Sequence, residues 1–307
     1  MNSMTVRVKV PASTANLGPG FDTLGMAFQL YTTITMKLAE TTEIVMHGEE
    51  LQGLPTDKSN LVYEVAAGLF ERAGLPTPEL AIEIATEAPV TRGLGSSASA
   101  IVGALAAANR LAGEPFSRDQ LFEQASRLEG HPDNVGASVF GGFVVAAMPV
   151  DEDAPIPYVT FAVPNQLKTL VVIPEYWLST EKARGVLPDV YRKADVVYNV
   201  GHSSLLVAAL AQGRLDLLAS AMKDRMHQPY RSQLVPGLAE MLDQATDNGA
   251  LGAALSGAGP TTLFFYETME QEHKLRSFIA EVMAKHGLSY QLMLLPVDDQ
   301  GVQIETV

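Results

Sequence analysis

The run Pro89-Val-Thr-Arg-Gly-Leu-Gly-Ser-Ser-Ala-Ser99 sets two glycines and two adjacent hydroxyls between a strand pattern and a long apolar helix pattern. Before it, Leu80, Ile82 and Ile84 alternate like the buried face of a strand. After it, residues 97–111 carry almost no polar interruption. A helix starting near Ser97 would turn unpaired N–H groups and the positive end of its dipole towards an anion. Gly93 and Gly95 would let the backbone approach that anion closely. The segment predicts a phosphate cradle built without a cluster of lysines.

Composition narrows the classes. A chain of 307 residues with 47% hydrophobic content can bury a large core in one or two domains. The net charge of −14 argues against nucleic acid as a partner, because no basic face is available to displace counterions. An anionic substrate would need a local positive field built against the global one. Cysteine is absent, which removes thiolate metal sites and disulfides and fits a reducing cytoplasm. The first ten residues alternate like a strand and lack the apolar core of a signal peptide. Residues 93–109 are too short for a membrane span, and residues 248–266 are broken by glycines and Pro260. The expectation is a soluble protein with no membrane partner.

Strand patterns occur at Val6-Val8-Val10, along 30–38, at 143–147, 168–173 and 289–295, with a strand–turn–strand at 251–266. Helical patterns cover 60–72, the run after Ser97, 117–129 with Ser117 as N-cap, about three segments in 179–247, and 267–286. His131-Pro-Asp-Asn134 reads as a break between helix and strand. The order lacks regular strand–helix alternation, so α+β is expected rather than a doubly wound sheet. The acidic, proline-broken stretch 151–157 is the best candidate domain boundary, or else a solvated hairpin loop.

Three glycine-rich segments, Pro11–Asp22, Pro89–Ser99 and Gly252–Pro260, combine glycine with hydroxyl or amide side chains. Singly each suits an ordinary turn; together they suit convergent loops around an anionic small molecule. A P-loop would need lysine directly before the hydroxyl residue, and Gly95 stands there. Gly93-x-Gly95-x-x-Ala98 superficially fits a dinucleotide fingerprint. The required second strand ending in an acid is missing, since the chain instead turns into another helix near Ser117.

These segments carry a resemblance. Pro89 followed by Gly-Leu-Gly-Ser-Ser-Ala98 resembles the phosphate-binding motif of the GHMP small-molecule kinases. Pro11-Ala-Ser-Thr-Ala-Asn-Leu-Gly-Pro-Gly-Phe-Asp22 resembles their amino-terminal motif in its amino-acid-alcohol form, and Leu251-Gly-Ala-Ala-Leu-Ser-Gly-Ala-Gly-Pro260 their carboxy-terminal motif. The similarity spans nearly the whole chain. It implies a two-domain α+β fold, with an ATP-binding domain over 1–155 and a ferredoxin-like domain over 156–307. It also implies a cytoplasmic homodimer that transfers the γ-phosphoryl group of ATP, with Mg²⁺, to the side-chain hydroxyl of L-homoserine; the alternatives are a GHMP kinase with a mevalonate- or shikimate-type acceptor, or a module that binds the nucleotide without turnover.

By the same resemblance, the nucleotide side comprises Asn60, Val62, Pro89, Val90, Thr91, Arg92, Gly93, Leu94, Gly95, Ser96, Ser97, Ala98 and Ser99. Asn60 can serve the adenine pocket and also cap the helix behind it, while Arg92 is as well suited to solvent as to phosphate. Ser97 and Glu129 are expected on the metal, with Glu123 as the alternative acid. The acceptor is a small zwitterion, which calls for an acid facing its ammonium and guanidinium facing its carboxylate. Asn16, Asp22, His131 and Gly257 fall on that side, with Arg184 and Arg231 for the carboxylate and Arg225 as alternative to the latter. Asn134 is expected to steady the transferred group. Asp133 could be a general base, but a helix- or loop-capping role is favoured. His202 and His227 read as ordinary helix residues.

Overall fold

The computed structural model describes residues 4–151 and 154–307. In chain order the elements are β1 (Thr5–Asn16), β2 (Gly20–Leu38), β3 (Glu43–His47), α1 (Leu61–Arg72), β4 (Leu80–Thr86), α2 (Ser96–Leu111), α3 (Arg118–Glu129), α4 (Asp133–Phe140), β5 (Phe143–Ala146) and β6 (Tyr158–Phe161). There follow β7 (Lys168–Pro174), α5 (Thr180–Gly185), α6 (Lys193–Ala211), α7 (Leu218–Ala221), α8 (Gln228–Arg231), α9 (Leu238–Gln244), β8 (Gly252–Leu255), β9 (Thr262–Tyr266), α10 (Met269–Lys285), β10 (Tyr290–Leu294) and β11 (Gln303–Thr306). The α+β expectation holds.

Two sheets organise the molecule. The first runs β11-β1-β2-β4-β3, with β5 on the far end of the long β2 and β6 beyond it. All its pairs are antiparallel except β3–β4. Val6, Val8 and Val10 alternate inward, as their spacing predicts, and meet α2 across the sheet. That helix is buried on nearly every side. Its alanines and Gly103 let it lie close against Val10 and Ile34, with α1 and α3 packed on its flanks.

The second sheet runs β10-β7-β9-β8 and is wholly antiparallel. Its central strands read as unbroken apolar runs because both faces are covered. Leu170, Val172, Phe264 and Tyr266 meet α10 on one face. Val171, Ile173, Leu263 and Phe265 join α6, α7 and the β2 residues Met26 and Phe28 on the other. Burial of each large side chain of this kind contributes about 1.5–3 kcal/mol. Long and apolar enough to span a membrane by length and composition, with mean hydropathy 1.2, α6 nonetheless packs Leu206 and Leu210 into this core.

Beyond the sequence expectation, β1 runs on through residues 11–16, β2 begins at Gly20 rather than near residue 30, five α-helices rather than about three fill 179–247, and four further elements appear. Helix α4 follows directly on the Pro132 break and is buried from Asp133 to Val139, so no polar face betrays its period. Strands β3, β6 and β11 are short and partly exposed. β11 returns the carboxy terminus to β1, and β6 extends the first sheet past residue 155. The acidic stretch 151–157 lies partly outside the described residues.

Candidate active site

The three glycine-rich segments converge at the junction of the sheets. Ser13 N–H donates to Leu94 O (3.1 Å), Gly257 N–H to Ala15 O (3.1 Å), and Thr261 N–H to Arg92 O (3.3 Å). Ser256 Oγ contacts both Gly93 O (2.5 Å) and Thr14 Oγ1 (2.8 Å). A Cβ on Gly93 would sit 2.4 Å from Ser256 O, so close approach between segments is what requires glycine there.

Helix α2 starts at Ser96 from Gly95, which sits at φ 69°, ψ 27°, and no side chain caps it. Its first N–H groups and dipole therefore face the adjoining cavity without an internal acceptor. Ser97 Oγ donates to Glu129 Oε2 at 2.8 Å, because α3 ends where α2 begins. Glu123 is six residues earlier, about 9 Å along the helix axis. Glu129 lines the cavity. A hydroxyl and a carboxylate meeting beside an uncapped helix start suit a hard divalent cation such as Mg²⁺.

Two cavities share Thr91, Ser96 and Ser97. One is mainly apolar, walled by Met46, Leu51, Leu54, Val62, Ile84 and Val90, with Asn60 at its edge. Asn60 caps α1 by accepting from Val62 N–H (2.9 Å) and donates to Pro55 O (2.7 Å). Thus its side chain is committed to the local backbone. Arg92 turns to Glu50 (3.5 Å) and, with the buried Pro89, Leu94, Ala98 and Ser99, lies behind these walls rather than in them.

The other cavity gathers Asn16, Asp22, Glu129, His131, Asp133, Asn134, Arg184, Arg231 and Gly257. Asn16, at φ 70°, donates to Gly257 O (2.9 Å) and accepts from Asp22 N–H (3.0 Å), which fixes the turn carrying Asp22. Asn134 Oδ1 accepts from Ser13 Oγ at 2.9 Å. Asp133 Oδ1 accepts from the Asn134 N–H (2.7 Å) and meets His131 Nδ1 at 2.6 Å. Burial opposes a positive His131, but the hydrogen bond and charge of Asp133, with Asp22 and Glu129 behind it, outweigh burial and raise its pKa above 6.5. Ligand atoms of Asp22, His131 and Asp133 lie within 4.8 Å of one another. Each is already engaged by protein partners.

Arg184, on α5, grips Asp22 with a bidentate fork of 2.7 and 3.0 Å. Arg231, on α8, is only 2% exposed and lacks a carboxylate partner within 4 Å among the described residues. Burial, together with the charge of Arg184, lowers its pKa to about 10, so it remains cationic at neutral pH. Arg225 turns away to Asp195 (3.3 Å) and the ring of Tyr198. His227 was not expected here; it is fully buried behind Arg231, and the four-residue spacing His227–Arg231 was its only sequence signal. A chain of net charge −14 thus concentrates two guanidiniums and a helix amino terminus around one pocket.

Residues 60–142 match the GHMP kinases N terminal domain and residues 206–285 match the GHMP kinases C terminal domain. The chain belongs to the GHMP kinase family. Within it, the homoserine kinase of Deinococcus radiodurans is 47% identical over 298 residues, covering 97% of this chain and 96% of its own. The homoserine kinase of Desulfitobacterium hafniense is 42% identical over 299 residues, covering 97% and 99%. The crystal structure of homoserine kinase from Cytophaga hutchinsonii superposes with a TM-score of 0.85 at 27% identity, covering 98% of this chain and 97% of that one.

Proposed function

We propose that this chain transfers the γ-phosphoryl group of ATP to the side-chain hydroxyl of L-homoserine, giving O-phospho-L-homoserine and ADP. The observation that carries the reading is the carboxylate of Asp22 facing the guanidiniums of Arg184 and Arg231, in a pocket that opens on the uncapped start of α2 and whose other acids, Glu129 and Asp133, are engaged by Ser97 and His131. A zwitterion with a terminal hydroxyl matches that set: ammonium to Asp22, carboxylate to Arg184 and Arg231, hydroxyl towards Asn16 and His131. Full-length relatives carrying the homoserine kinase name support the same acceptor.

The triphosphate lies along Gly93, Gly95, Ser96 and Ser97, with adenine in the apolar cavity beside Asn60 and Val62. Ser97 and Glu129 would hold Mg²⁺, which neutralises charge on the phosphates when bound. Phosphoryl transfer asks for positioning and charge neutralisation rather than covalent chemistry. The acceptor oxygen bonds to the γ-phosphorus as the bond to the β-phosphate oxygen breaks. Asn134, held by Ser13, steadies the group in flight. Because Asp133 Oδ1 is committed to His131 and to the start of α4, we assign it to positioning and leave proton release to the phosphoryl oxygens. We place the reaction in the cytoplasm, in a homodimer, with domains dividing near residue 155 except that β6 and β11 complete the first sheet.

Turnover with ATP and Mg²⁺ against a panel of homoserine, threonine, mevalonate and shikimate tests the reading. ADP release should require homoserine. Release with mevalonate or shikimate and none with homoserine would overturn the acceptor assignment.

A further inference from the structure

We infer that His227 is a positioning residue of the acceptor pocket, presenting a single uncharged acceptor that aims Arg231 without neutralising it. This rests on the acceptor reading above. His227 stands at the start of α8, one turn before Arg231 and completely buried. Its Nδ1 lies 3.3 Å from Arg231 Nη1 and its Nε2 lies 2.6 Å from Gly18 O. A guanidinium nitrogen can only donate and a carbonyl can only accept. Nδ1 is therefore bare and Nε2 carries the hydrogen, which leaves one neutral tautomer.

The nearest acid does not alter this. Asp224 Oδ2 is 3.6 Å from Nε2, but the Asp224 carboxylate accepts from the N–H groups of Met226, His227 and Gln228 and from Asn199 Nδ2. Asp224 builds the turn that presents the ring.

Arg231 is held by neutral acceptors throughout: Ala183 O on Nε (3.1 Å), with Gly257 O (2.9 Å) and His227 Nδ1 on Nη1. An acid at position 227 could accept from Arg231 Nη1, but it would have no hydrogen to give Gly18 O and would consume the charge that a substrate carboxylate needs. Histidine fixes the direction and leaves the charge available. The same ring tethers Gly18, in the turn between Asn16 and Asp22, so one side chain joins the two walls of the pocket.

His227→Asn keeps an acceptor near the Nδ1 position and loses the Gly18 bond; His227→Gln keeps a donor near Nε2 and loses the acceptor. With His227→Gln the KM for homoserine should rise about tenfold or more, while the KM for ATP stays within about twofold and kcat falls less than kcat/KM. His227→Asn should recover most of the loss. In an Arg231→Ala background, His227→Gln should add nothing further. Equal rises in both KM values, recovery by Gln rather than Asn, or full additivity with Arg231→Ala would each overturn the inference. If the wild type turns over a panel acceptor other than homoserine, the acceptor reading fails by itself, and the same comparison with that acceptor decides the role of His227.

Discussion

Gly95→Ala and Gly74→Ala form a matched pair that separates backbone cost from crowding at the start of α2. Both glycines are left-handed, at φ 69° and 70°. A non-glycine residue in that region costs about 1–2 kcal/mol. At Gly74 nothing lies within 4 Å of an added Cβ, so that cost stands alone. At Gly95 the Cβ would sit 2.1 Å from Ser13 Oγ and 3.1 Å from Asn134 Oδ1, the two atoms of a buried 2.9 Å hydrogen bond. Displacing Ser13 leaves a buried polar group unpaired, at about 1–3 kcal/mol. Gly95→Ala should therefore lose about 2 kcal/mol more than Gly74→Ala in urea unfolding, a difference well outside experimental scatter. Gly95 also opens α2, so the KM for ATP should rise at least about tenfold in that variant and remain unchanged in Gly74→Ala. Equal destabilisation of the two variants, or unchanged ATP binding in Gly95→Ala, would refute both the crowding and the cradle.

Arg184→Lys keeps the charge but loses the fork, so the KM for homoserine should rise about tenfold with ATP binding unaffected; an unchanged homoserine KM removes Arg184 from the pocket. The raised pKa of His131 means that its ion pair with Asp133 stabilises the fold fully below pH 6.5 and that this contribution fades as pH rises through the folded-state value. Asp133→Asn should lower the His131 pKa in an NMR titration, and its stability deficit should shrink from acidic to alkaline pH. A deficit independent of pH would show that the pair carries no linkage.

How far the site was legible depended on sequence distance. Ser96 and Ser97 could be placed because a strand, two glycines and an apolar helix are contiguous, and contiguous patterns fix local backbone. The choice between Glu129 and Glu123 could not be made that way, since both sit on α3 and only its docking against α2 brings one of them to 2.8 Å from Ser97. Arg231 and Arg225 posed the same ambiguity, and only the packed chain shows that Arg231 lines the pocket while Arg225 turns to Asp195. Helix α4 was missed because burial on every side removes the polar–apolar period that a reading relies on.

The sequence by itself determined the α+β class, most of the principal helices and strands, and three glycine-rich segments with the composition of an anion site. Those depend on short-range preferences: alternation, capping, and glycine where the chain must turn. Tertiary structure decided that the glycine-rich segments meet, that Asp22 faces Arg184 across 162 residues, and that His227 lies behind Arg231. It also decided that the anionic chain turns two guanidiniums and an uncapped helix start towards one pocket. Hydrogen-bond partners separated by hundreds of residues are selected by the packing of the two sheets, and no local preference records that choice.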